Sequence, residues 1–223
     1  MKVAIFGYTG LVGKSATNEL IQAPWCQKII AIGRNPPKTN HQKIDYSPTH
    51  FEASHSFWPH DLQCDAVIWC LGSTLKKSGS KKSFYHIDFK LASTVAKKAK
   101  ASGVQHWVLI SSAGAHPQSY FFYNRVKGEL ENFCLKLNFP KTTILRPGLL
   151  IGSREESRPL ESFSQKLLQP LASSQTRWFD TVKPVYAHSV ARTAVQALKQ
   201  QKSPIKITHS GEITRITHHS ESL

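Results

Sequence analysis

The opening stretch, MKVAIFGYTGLVG, constrains what this chain can fold into more than any other part of it. Lys2 to Phe6 is a short apolar run of the kind a buried parallel strand gives, and Leu11, Val12, Ala16 and Leu20 then recur at helical spacing. Gly7, Gly10 and Gly13 fall at the joint between them. Without a Cβ, Gly7 can make the tight turn, Gly10 can let backbone N–H groups approach a phosphate, and Gly13 can let the helix pack on the strand. A pyrophosphate at that helix N-terminus gains N–H donors and a favourable dipole. The spacing is G-x-x-G-x-x-G rather than the dinucleotide fingerprint G-x-G-x-x-G, so its weight comes from following a strand and opening a helix. A glycine turn with no ligand is the alternative reading.

A chain of 223 residues fits one domain with a single core. Within it, residues 1–150 read as the dinucleotide-binding core, 151–210 as a small substrate-side segment and 211–223 as a frayed tail. No run approaches the roughly 20 apolar residues of a membrane span, and the N-terminus has a strand and glycine turn where a signal peptide would carry its cleavage site. The expected location is therefore cytoplasmic. Cys26, Cys64, Cys70 and Cys134 share no C-x-x-C spacing and are expected to be reduced. His209, His218 and His219 lack a metal-site scaffold, so no metal is expected.

The formal charge of +15 would attract nucleic acid, an anionic surface or a phosphorylated ligand, and says nothing about fold. Lys76, Lys77, Lys81 and Lys82 read as a solvated loop, and Lys97, Lys98 and Lys100 end a helix where cations suit the dipole. No aromatic residues interleave with these lysines, and no zinc-finger or RNA-recognition signature supports a nucleic-acid partner.

After a helix over residues 11–22, Lys28 to Ile32 forms a second strand that ends at Gly33, Arg34, Asn35. In a dinucleotide fold this strand end meets the adenosine ribose, where a carboxylate suits the 2′-OH of NAD and an arginine suits the 2′-phosphate of NADP. The sequence offers Arg34, whose guanidinium bonds phosphate bidentately, so NADP(H) is favoured over NAD(H). Lys43 to Tyr46 reads as a short third strand, with Asp45 placed to accept from the adenine amino group. Asp65 to Leu71 is a buried strand closed by Gly72, which puts Leu71 and Gly72 at a carboxyl end, against a cofactor. A helix follows over residues 83–102, and Val104 to Ile110 returns to the sheet.

Ser111 and Ser112 then follow a strand end, and a helix carries Tyr123 and Lys127 four residues apart on one face. A free phenol titrates near ~10, and a neighbouring ammonium lowers it, which makes Tyr123 a candidate acid or base. A serine hydroxyl at the strand end could hold the substrate oxygen. Lys141 to Leu145 is another strand, and Pro147 and Gly148 turn the chain at the sheet edge where a nicotinamide would lie. Beyond it the pattern gives a helix over 160–171, an extended segment from Val182 to Tyr186, an amphipathic helix from Ser189 to Lys199 and a last strand from Ile205 to Thr208.

GYTGLVG, WCLGST, SSAGA, YNRVK and RPGLLIGSREESRP together resemble the atypical short-chain dehydrogenase/reductase family, in particular Tat-interacting oxidoreductase-like proteins, from the N-terminus to about residue 200. The resemblance implies an α/β single-domain Rossmann fold, a doubly wound parallel sheet with helices on both faces. It implies NADPH across Thr9, Gly10, Leu11 and Val12, with Arg34 and Asn35 at the 2′-phosphate, Leu71 and Gly72 under the diphosphate–ribose region, and Leu150 and Arg158 completing the site. Tyr123 would be the proton donor or acceptor, and Lys127 would bind the nicotinamide ribose. In many relatives the active hydroxyl comes third in an S-S-S run. Here that place is Ala113, so Ser111 or Ser112 must substitute. Two functions follow: an NADP(H)-dependent oxidoreductase acting on a carbonyl or alcohol, or an NADPH-binding regulatory protein acting through a macromolecular partner.

Overall fold

The computed structural model describes residues 1–49, 59, 62–152 and 182–220, with side chains of the last helix described to 216. The chain alternates strand and helix: β1 Lys2–Phe6, α1 Leu11–Gln22, β2 Lys28–Gly33, β3 Ile44–Pro48 and β4 Ala66–Trp69. Then come α2 Leu75–Ser78 and α3 Lys81–Tyr85, which runs through a π-helical stretch, His86–Leu91, into α4 Ala92–Ala101. β5 His106–Ile110, α5 Phe122–Lys136, β6 Lys141–Arg146 and β7 Leu150–Ile151 follow. β8 Val185–Tyr186, α6 Ala187–Gln200, β9 Ile205–His209 and α7 Ser210–Ser220 complete the described elements.

One seven-stranded sheet has the order β3-β2-β1-β4-β5-β6-β9, with every pairing parallel. β7 and β8 pair separately. Parallel strands need crossovers long enough for helices, and those helices cover both faces, so the central strands are largely apolar. β1 shows why. Its side chains alternate, with Val3 and Ile5 in the core layer shared with Ala16 and Leu20 of α1 and Val190 and Ala194 of α6. Ala4 and Phe6 enter the opposite layer, with Val95 of α4 and Leu130 of α5. In that layer Trp69 stacks on Trp107 at 6.1 Å and Trp107 on Phe139 at 5.6 Å. The doubly wound parallel sheet inferred from the sequence is the observed architecture.

The chain winds outward from β1 to β3 and returns to β4 on the other side of β1. The carboxyl ends of β1 and β4 therefore flank the switch point, where open α/β sheets bind ligands.

Three expectations are corrected. Residues 210–220 do not fray but form α7, with Ile213 completely buried in the α1/α6 layer. The Lys76–Lys82 region is not a loop but two short helices. Thr74 accepts from the Lys77 N–H at 3.3 Å and Ser80 from the Ser83 N–H at 3.0 Å, so each helix has its N-cap. The helix expected over residues 83–102 begins earlier and is π-helical between His86 and Leu91. The expected helix over 160–171 and most of the stretch from Ser47 to Gln63 lie outside the described residues.

Candidate active site

β1 runs into Gly7 with φ of +79°, a left-handed conformation that favours glycine. A Cβ on Gly7 would stand 2.6 Å from the Leu71 nitrogen, so the end of β4 lies directly against this turn. Gly10 is the N-cap of α1 and no side chain among the described residues caps it, which leaves the first-turn N–H groups of Leu11, Val12 and Gly13 without intrahelical acceptors. A Cβ on Gly13 would sit 2.1 Å from the Gly7 oxygen and 2.7 Å from Tyr8 Cα, so α1 packs on the turn itself. Thr9 and Gly10 are exposed and Leu11 is half-buried at this mouth. An uncapped helix N-terminus in a cradle that a side chain would fill fits a dinucleotide diphosphate.

Arg34 and Asn35 are exposed at the end of β2, on the same carboxyl edge. Arg34 and Leu71 open onto a cavity of about 790 Å³ that runs along α3 to Phe122. Its described lining includes Lys81, Lys82, Lys90 and His86 and no carboxylate. Asp45 is not brought to this edge. It sits within β3 with its carboxylate 2.9 Å from Lys28, lining a hollow with Lys2 and Gln27 at the strands' amino ends. The pairing of Asp45 with Ile30, three residues short of Gly33, removes it from the adenine position expected for it.

Tyr123 and Lys127 lie on α5 as the i,i+4 spacing requires. The ammonium stands 5.8 Å from the Tyr123 ring centre, and the Phe84 ring packs on Tyr123 at 5.3 Å. The Lys127 ammonium is buried and ion-paired with Asp88 at 2.6 Å, and the Asp88 side chain is wholly buried. Asp88 also accepts the Ser73 N–H at 2.8 Å. Burial alone would drive Lys127 down, but the Asp88 carboxylate, Tyr123 and Glu131 outweigh it and hold the ammonium at about 12. Gly72 makes room for this pair, since a Cβ there would stand 3.2 Å from both Asp88 Oδ1 and Lys127 Nζ. The structure thus brings Gly72, Lys127 and Tyr123 together at the end of β4.

The two serines differ. The Ser111 hydroxyl donates to buried Glu131, whose carboxylate holds Arg146 through Nε at 3.1 Å and Nη2 at 2.5 Å. The Ser112 hydroxyl is buried and has no hydrogen-bond partner among the described residues. Buried hydroxyls are normally satisfied, so an orphan of this kind calls for an explanation. The serine loop is tied to the β6 end by the Ala113 N–H to the Pro147 carbonyl at 2.8 Å. The Pro147–Gly148 turn is held in turn by Ser210, which accepts the Gly148 N–H at 2.9 Å. Leu150 pairs with Val185 beyond that turn. Arg158 lies outside the described residues.

Sequence reasoning missed Asp88, Glu131, Arg146 and Tyr8. One signal was present: Asp88 is the only carboxylate between Asp65 and Glu129. A lone acid in so basic a stretch invites the question of which cation it serves.

Residues 7–201 match the family described as NAD(P)H-binding. The chain belongs to this family, within the atypical short-chain dehydrogenase/reductase group whose motifs it carries. Among curated proteins it is 33% identical to "Protein FMP52, mitochondrial" of Meyerozyma guilliermondii over 223 residues, covering 96% of this chain and 94% of that one. It is 32% identical to "Protein FMP52-1, mitochondrial" of Scheffersomyces stipitis, covering 97% and 98%. Among solved structures it resembles the Bordetella bronchiseptica enzyme WbmH in complex with NAD+, with a TM-score of 0.69 at 20% identity, covering all of this chain and 81% of that one. It also resembles the oxidoreductase ylbE of Lactococcus lactis, with a TM-score of 0.68 at 18% identity, covering all of this chain and 98% of that one. At such identities the two structures speak for the fold. The cytoplasmic expectation does not stand, because the curated relatives are named mitochondrial. It rested on the lack of a long apolar run, a test that detects membrane spans and secretory signals but not amphipathic transit sequences. Among the described residues no helix is long and apolar enough to cross a membrane.

Proposed function

We propose that the protein is an NADP(H)-dependent oxidoreductase acting between a carbonyl and an alcohol, in a mitochondrial setting like that in its relatives' names. The observation that carries the reading is the convergence of Gly72, Lys127 and Tyr123 at the switch point. Bound NADPH would supply the hydride to the carbonyl carbon. Gly10 and the first-turn amides of α1 hold the diphosphate, and Arg34 and Asn35 take the 2′-phosphate. The cation-lined cavity beside Arg34 supports NADP(H) over NAD(H). Tyr123 gives its phenolic proton to the substrate oxygen as the carbon is reduced, and takes it back in the reverse direction. Lys127 holds the ribose at Gly72 and stabilises the phenolate left behind. Ser112, with its unpartnered hydroxyl, donates to the same substrate oxygen, while Ser111 is occupied by Glu131.

NADPH oxidation over a panel of aldehydes and ketones tests this. Tyr123→Phe is expected to abolish turnover while leaving NADPH affinity nearly unchanged. Equal turnover by the variant removes the chemistry.

A second reading, an NADPH-binding regulatory protein with weak catalysis, is favoured by the engagement of Lys127 with Asp88 and by Ala113 in the third serine place. It predicts no turnover across the panel together with nucleotide-dependent affinity for a protein partner. A partner bound equally with and without NADPH would remove it.

A further inference from the structure

Tyr8 stands inside the glycine turn, between Gly7 and Thr9, yet it is only 4% exposed. Its ring lies on the end of β2, where a Cβ on Gly33 would be 2.8 Å from Tyr8 Cε1. Its hydroxyl donates to the Asn35 carbonyl. From the other side, the Tyr46 hydroxyl donates to the Gly33 carbonyl at 3.1 Å. Two phenols thus fasten the backbone immediately before and after Arg34, while Arg34 and Asn35 remain exposed, Arg34 at the cationic cavity. Burial, followed by the nearby Tyr46, pushes the Tyr8 phenol up to about 12, so it remains an O–H donor across the neutral range.

This arrangement has a mechanical meaning. Gly33 alone would leave the strand end loose, and an exposed arginine on a loose turn must lose that freedom each time it grips a phosphate. Tyr8 removes much of that cost beforehand, and it does so from the turn that faces the diphosphate. The spacing between the diphosphate seat at Gly10 and the Arg34–Asn35 pair is therefore set by a side chain two residues from Gly10.

We propose that Tyr8 is a positioning residue for cofactor choice: it holds the Arg34–Asn35 turn where both side chains meet a ribose 2′-phosphate, so that discrimination depends on a buried phenol as well as on the exposed guanidinium. The proposal rests on the NADP(H) reading above and goes beyond it by naming what sets the preference.

The test measures dissociation constants of NADPH, NADH, adenosine 2′,5′-bisphosphate and AMP for the wild type, Tyr8→Phe, Tyr46→Phe and Arg34→Ala. Tyr8→Phe keeps the ring on Gly33 and deletes one hydrogen bond. It is expected to weaken NADPH and the bisphosphate about five- to tenfold, the equivalent of one such bond, while NADH and AMP shift by less than about twofold. Tyr46→Phe, which loosens the same turn at Gly33, two residues before Asn35, is expected to lower the NADPH/NADH affinity ratio by a smaller factor, and it carries the test if Tyr8→Phe does not fold. A merely structural tyrosine would weaken all four ligands alike, and an unchanged ratio in both variants overturns the proposal. If the wild type prefers NADPH and Arg34→Ala loses that preference while the phenol variants keep it, the proposal falls and the cofactor reading survives. If the wild type shows no preference at all, the cofactor reading falls and takes the proposal with it.

Discussion

Removing the Asp88 carboxylate offers the sharpest measure of how the site is held. Its side chain is 0% exposed and that of Lys127 6%, with 2.6 Å between them, so Asp88→Leu strands an ammonium in a space that water does not reach. Breaking one side of such a pair costs about 3–5 kcal/mol, and the Ser73 N–H loses its acceptor as well. Against a total stability on the order of 5–15 kcal/mol this is a large fraction. With a urea slope of about 2 kcal/mol per molar, the unfolding midpoint should drop by about 2 M. Lys127→Met should cost a similar amount by stranding the carboxylate. The double variant, which leaves two apolar side chains, should return to within about 1–3 kcal/mol of the wild type, the remainder being the Ser73 N–H still without its acceptor. The pH dependence supplies a second check. In the wild type Lys127 is raised from 10.5 to about 12, so its contribution of about 2 kcal/mol is full below 10.5 and is lost as pH rises through 12. Without Asp88, burial dominates and lowers the ammonium, so stability should instead rise with pH up to 10.5. Urea titrations at several alkaline pH values decide the matter. A single variant within about 1 kcal/mol of the wild type, or a double variant as costly as both singles together, would refute the reasoning.

Ser112→Ala should lower kcat/KM by about a hundredfold at an unchanged melting temperature, whereas Ser111→Ala should cost about 1–3 kcal/mol of stability by leaving Glu131 short of a donor; steady-state kinetics and melts distinguish the two, and the reverse pattern would exchange their roles. His106 is pushed down to about 4 by burial and by Lys141, from 6.5 when free. Its folded value is depressed, so the neutral ring's contribution of up to about 3 kcal/mol is complete above 6.5 and is lost as pH falls toward 4. His106→Gln should flatten that acid limb in urea titrations, and identical limbs would sink the assignment. Gly13→Ala should abolish NADPH binding in a fluorescence titration and destabilise by about 1–3 kcal/mol, because its Cβ would stand 2.1 Å from the Gly7 oxygen. Wild-type affinity in that variant would mean that α1 can lift off the turn without consequence.

The parts of this fold that the sequence announces are those decided by neighbours in the chain. β1 and α1 have the expected limits, Lys2–Phe6 and Leu11–Gln22, because apolar period and glycine spacing both act within a few residues. Tyr123 and Lys127 share a face for the same reason. What the sequence conceals is set by topology. Asp88 meets Lys127, and Ser111 reaches Glu131 and Arg146, only because β4, β5 and β6 lie side by side and α5 crosses them. Asp45 was misplaced because strand register, not strand existence, decides which end of the sheet a side chain serves. The helix after His209 is hidden by its polar composition, in which Ile213 is the buried apolar residue that docks it.

The π-helical stretch His86–Leu91 carries one more residue per turn than the α-helices on either side. Deleting a single residue there would let the helix run on unbroken from Lys81 to Ala101. A π turn takes about one residue more than an α turn for nearly the same rotation, so the deletion would leave the helices on either side in phase and re-aim only the residues within the stretch, Asp88 among them, relative to Lys127. The surplus residue therefore acts locally: a turn that is wasteful in length sets the bearing of one carboxylate toward α5 while the helices before and after it keep their own faces.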